Sequence, residues 1–141
     1  MQRKSAEIQE MVNRKTEAWD TQDVTLQLSV FHPHVVWPWP RTQDDHNPID
    51  WVIVQGKFDR QRWARFSEQF FREHHLVHNE RSTMRIEVSE DGDGVLAVVD
   101  TDTLWVDTRR LEKHWLGRVC KVYGLTGGEW KVTMHTGPLR Y

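Results

Sequence analysis

The chain has 141 residues, 28% of them charged, a formal net charge of −2 and a single cysteine, Cys120. That length implies one domain spanning residues 1–141, and a near-neutral balance without long like-charge runs argues against nucleic acid or an anionic membrane as partner. A lone cysteine excludes an intramolecular disulfide and a cysteine-based zinc site and points to a cytoplasmic protein; no apolar run approaches a membrane span.

In chain order, Ile8, Met11, Val12, Ala18 and Trp19 recur at helical spacing, with Ser5 as N-cap, and predict an amphipathic helix from Ser5 to Trp19. After the polar link DTQD, Val24, Leu28 and Phe31 predict a shorter helix that Pro33 stops, because the residue before a proline avoids the α region. Val35 to Trp37 read as a short strand, which Pro38 and Pro40 confine to a sheet edge. The stretch 41–50 is a polar loop, and 50–55 is either a short strand or a loop on the core. Asp59 caps a third helix whose Trp63, Phe66, Phe70 and Phe71 form an aromatic stripe. Strands follow at about 76–89 and 95–107.

The last stretch, from His114 to Gly137, places two β-branched and aromatic runs around Thr126-Gly127-Gly128 and predicts a long hairpin. With Leu125 opposite Trp130, the pairing continues as Tyr123 with Val132, Lys121 with Met134 and Val119 with Thr136. Lys121 is then the only charge on an apolar face, while His135 points to the other side. In VLAVVDTDTLWVD the inner set is Val95, Ala97, Val99, Thr101, Thr103 and Trp105. Asp100 and Asp102 face outward, and Asp102 is expected to meet Arg118 across the strands. The resulting class is α+β: a cone-shaped, curved antiparallel β-sheet packed against three helices of the N-terminal half.

Three segments carry a resemblance over nearly the whole chain: FHPHVVWPWP, VLAVVDTDTLWVD and GRVCKVYGLTGGEWKVTMHTG. The chain resembles the nuclear transport factor 2-like superfamily, in the SnoaL-like branch that includes ketosteroid isomerases, polyketide cyclases, scytalone dehydratase and limonene epoxide hydrolase. The closing hairpin also resembles that of the association domain of calcium/calmodulin-dependent kinase II. The resemblance implies a homodimer joined through the outer sheet face. It also marks departures. Ketosteroid isomerases have an aspartate base before a proline where this chain has Trp39 before Pro40, and many SnoaL-like relatives have an aspartate where it has His34. Lys121 stands where kinase association domains carry a cavity arginine, and Thr136 where they carry a histidine.

Two functions fit. One is a small-molecule protein, a binder or a lyase, isomerase or hydrolase using general acid–base chemistry, with a pocket lined by Trp39, Thr101, Trp105, Lys121, Tyr123 and Met134. Its ligand is apolar with an anionic or carbonyl group near Lys121. Asp100, Asp102 and His135 are secondary candidates that enter the cavity only if register differs or a bulge intervenes. The other is an assembly module whose cavity its own tryptophans fill. No cofactor is required. HHLVH (His74, His75, His78) is not expected to bind metal, because it sits at a helix end without a metalloprotease glutamate.

Overall fold

The computed structural model describes residues 2–45, 47–53 and 55–140; His46 of the polar loop and Val54 of the 50–55 stretch lie outside the described residues. The elements are α1 (Gln2–Thr21), α2 (Val24–Ser29), β1 (Phe31–Val36), a 3₁₀ turn (Pro48–Asp50), α3 (Arg60–Glu73), β2 (His74–Val88), β3 (Gly94–Asp107), β4 (Glu112–Thr126) and β5 (Glu129–His135). Helices α1 to α3 and a curved five-stranded sheet, not closed into a barrel, make the expected α+β architecture.

The strands run in the order β1-β5-β4-β3-β2. All neighbours are antiparallel except β1, which lies parallel to β5 at the edge, where Pro33 can lack an N–H without breaking an internal ladder. Strand β1 therefore begins at Phe31, two residues before the proline. The Val30 carbonyl accepts the Val132 N–H at 2.8 Å, so Phe31 belongs to the core rather than to α2. Helix α1 starts before Ser5 because Lys4 Nζ donates to the Gly92 carbonyl (2.8 Å) and ties the first turn to the β2–β3 turn. Among the described residues of the 50–55 stretch, only Val52 pairs, as a bridge to Trp39.

The inner face of β3 is the expected set, Val95 through Trp105 at every second residue, all buried. Val95 and Ala97 of this set pack with Ile8, Met11, Leu28, Phe31, Trp63 and Tyr123 in one core cluster, and Val99 with Val12 and Val119 in a second. Trp19, at the end of α1, meets Trp105 edge-on at 5.6 Å and Phe71 of α3 at 5.5 Å.

Candidate functional site

Helix α1 lays one face on the sheet, and Lys15 falls within that face, a turn from Met11 and Ala18. Its side chain is 1% exposed, with Nζ 4.1 Å from the centre of the Trp37 ring. Across the cavity, Arg81 of β2 stands opposite Thr101 of β3, and its Nε–H donates to Asn79 Oδ1 at 3.1 Å. Lys121 follows Val119 on the inner face of β4 and is 0% exposed, so it does not reach out to water. Neither Lys15 Nζ nor Lys121 Nζ has a hydrogen-bond partner among the described residues.

Lys15 and Arg81 border a cavity of about 970 Å³ walled by Trp19, Trp37, Trp39, Phe70, Trp105 and Trp115. Thr101, Thr103, Val119 and His135 also line it. The indole N–H groups of Trp19 and Trp37 are buried without an acceptor among the described residues. The carboxylates on the cavity wall, Asp44, Glu73, Asp107 and Glu112, are exposed or half-buried, and no buried lining residue is acidic. The interior thus offers amine, guanidinium and indole donors, with the lining acids among the more exposed residues.

Of the expected pocket residues, Trp39, Thr101 and Trp105 line this cavity. Lys121 and Tyr123 lie one layer deeper, fully buried. Met134 does not line it. An extra residue in β5, Thr133, breaks the register between Val122 and Tyr123, so that Lys121 pairs with His135 and Val122 with Met134. A β-bulge rotates the rest of a strand by one face: Met134 becomes 44% exposed, and His135 turns inward to 2%.

The β3–β4 register also differs by two residues from the expected one. Asp100, not Asp102, meets Arg118, with Arg118 Nε donating to Oδ1 at 2.6 Å. Both aspartates do face away from the cavity. HHLVH is not helical: α3 ends at Glu73, and His74 begins β2, with its Nδ1–H donating to the Phe70 carbonyl at 2.8 Å.

No family model matches the chain, and no curated protein matches its sequence. Solved structures match over almost the full length. A ketosteroid isomerase-like protein from Erwinia carotovora atroseptica superposes with a TM-score of 0.68 at 10% identity, covering 93% of this chain and 92% of its own. A nuclear transport factor 2-like protein from Rhodospirillum rubrum gives 0.69 at 14% identity, with 95% and 98% covered. This chain has the nuclear transport factor 2-like fold. A conserved protein from Planctomyces limnophilus shares it at a TM-score of 0.74 and 13% identity, over 97% and 96% of the two chains. At such identities the likeness extends to fold alone.

Within this nuclear transport factor 2-like cone, the electrostatics follow from burial. Desolvation pushes the Lys15 ammonium well below its ordinary pKa, and repulsion from Lys121 and Arg81 adds to it. Lys121 is lowered well below its usual value for the same reasons, burial first and Arg81 second. Arg81 is lowered by desolvation to about 10 and so keeps its charge at neutral pH. His135 is pushed well below 6.5 by burial and by the two lysines, and is therefore neutral. Its Nδ1–H donates to the Thr136 carbonyl at 2.7 Å, which leaves Nε2 as the basic nitrogen, and its ring stacks on Trp37 at 4.7 Å. Tyr123 is raised above its usual value by burial and stays a phenol.

Lys15, Arg81 and the inward His135 escape a reading of single strands. Lys15 was signalled by a charge inside the apolar stripe of α1. Arg81 needed the pairing with Thr101, and His135 needed the bulge.

Proposed function

We propose that the chain is a small-molecule protein of the SnoaL-like kind whose cavity takes a flat, mainly apolar compound bearing a carboxylate or an enolisable carbonyl. One observation carries this: Lys15, a fully buried lysine whose Nζ has no hydrogen-bond partner among the described residues, lines an aromatic cavity, with the equally buried and unpartnered Lys121 on the inner face of β4. Buried unpartnered amines are costly, and a bound anion is the partner that restores their charge and satisfies their N–H groups. Indole faces supply flat apolar surface for the remainder of such a ligand. A cone packed solid with its own tryptophans would suit an assembly module, but a cavity of about 970 Å³ has room for a ligand.

In an enzymatic role the geometry favours His135 Nε2 as the base that removes a proton next to the carbonyl, with Lys15 stabilising the resulting oxyanion. Asp100 and Asp102 have no part in this chemistry, since they lie on the outer face. The outer sheet face exposes Leu96, Leu116 and Met134, an apolar surface that suits a homodimer contact.

The test is thermal melting and tryptophan fluorescence with a panel of aryl carboxylates and their methyl esters and ketones. An aryl carboxylate is expected to raise the melting temperature of the wild type, with the shift lost in Lys15→Met. A panel without any response, in a protein that melts cooperatively, would refute the small-molecule reading; equal responses in wild type and Lys15→Met would refute the anion end of the site.

A further inference from the structure

The outer face of the sheet carries a second cluster, unrelated to the cavity. His78 of β2 and His114 of β4 both stand opposite Leu104 of β3, on its two sides, and Asp102 lies two residues along the same face. Both imidazole Nε2 atoms converge on one carboxylate oxygen, Asp102 Oδ1, at 2.7 Å from His78 and 2.6 Å from His114. The three candidate donor atoms all lie within 4.8 Å of one another. Three neighbouring strands therefore hold two imidazoles and a carboxylate around one point.

The geometry points to a binding site for a divalent transition-metal ion of the zinc class, held by His78 Nε2, His114 Nε2 and Asp102. Two imidazole nitrogens with one carboxylate oxygen suit zinc, nickel or cobalt, whereas magnesium and calcium require mostly oxygen. In a tetrahedral site with metal–nitrogen bonds of 2.0–2.1 Å, donor atoms stand about 3.3 Å apart, so the imidazoles need to withdraw from Asp102 by only about 0.7 Å. Side-chain exposures of 35% for His78, 37% for Asp102 and 39% for His114 leave room for that movement and for ion entry.

The backbone is already fixed. The His114 N–H donates to Gln43 Oε1 at 2.7 Å, and the β2–β3–β4 ladder sets the spacing of all three residues. The neighbouring cation is engaged elsewhere on the face, because Arg118 makes two hydrogen bonds to Asp100. Glu80, opposite Asp102 in register and exposed, adds a further negative charge beside the site. Three protein donors leave an open coordination position toward solvent for water or an exogenous ligand.

The test is calorimetric titration of tag-free, chelator-treated protein with zinc chloride and nickel chloride, together with cobalt absorption spectra. One ion per chain is expected, with affinity reduced at least about tenfold in His78→Ala and in His114→Ala. The pair His32→Ala/His34→Ala, whose rings lie 5.5 Å apart on β1, should leave binding unchanged. Zinc should also shift the imidazole NMR signals of His78 and His114 in the wild type, a readout that needs no variant. Absence of saturable binding, binding that survives both single variants, or loss of binding only in the β1 pair would overturn the proposal.

Discussion

Lys121→Met tests the physical core of the cavity argument without any ligand. Lys121 is 0% exposed and its Nζ meets no hydrogen-bond partner among the described residues, while methionine has nearly the same length and shape with no polar end. A buried unsatisfied polar group costs about 1–3 kcal/mol, so its removal should stabilise the ligand-free protein by that amount. For a chain of this size about 4 °C accompanies each kcal/mol, which predicts a rise in melting temperature of roughly 4–12 °C. Lys15→Met should gain less, because Nζ of Lys15 sits 4.1 Å from the Trp37 ring centre, where an N–H aimed at the indole face offsets part of its burial. Differential scanning calorimetry of both variants at neutral pH decides it. An unchanged or lower melting temperature for Lys121→Met would refute the claim that Lys121 is an unpaired buried amine, and a larger gain for Lys15→Met would refute the offsetting contact with Trp37. Residues that destabilise an empty site and serve a filled one are a common trade between stability and function.

Two further outcomes follow from the same geometry. The folded-state pKa values of Lys15, Lys121 and His135 are all lowered, so the unfolded chain binds more protons and stability rises with pH. Denaturant unfolding should therefore show stability lost as pH falls through 6.5 toward the folded pKa of His135, and gained from the lysines as pH rises toward 10.5. His135→Gln should flatten the acid limb and a Lys15→Met/Lys121→Met double variant the alkaline one; slopes unaltered by these changes would count against the burial argument. Trp105→Ala removes a ring that is 1% exposed and packs on Trp19 and Phe70, and should cost about 3–5 kcal/mol by equilibrium unfolding. A cost below about 1 kcal/mol would mean that the cavity wall collapses to fill the gap.

Much of the architecture is local and hence legible in the chain. Alternation alone puts Val95 through Trp105 on one face and Asp100 and Asp102 on the other, because successive strand side chains point to opposite sides. The same alternation places Lys121 on the apolar face of β4, and the glycines after Thr126 fix the closing turn, where Gly127 and Gly128 both take positive φ. What failed were quantities set by neighbours. The β3–β4 turn, where Arg110 adopts a left-handed φ of 66°, fixes the register that gives Arg118 to Asp100. That two-residue shift leaves Asp102 to the two histidines.

The candidate site shows the same division. Sequence by itself determined which residue types lie on the inner face: tryptophans, threonines and one misplaced lysine. Only the tertiary structure decided that Lys15 of α1 and Arg81 of β2 would border the same cavity, since nothing local relates a helix face to a strand five elements later. A single bulged residue, Thr133, exchanged Met134 for His135. Its cause lies in the pairing of two strands rather than in either one, so the periodicity of β5 alone could not carry it.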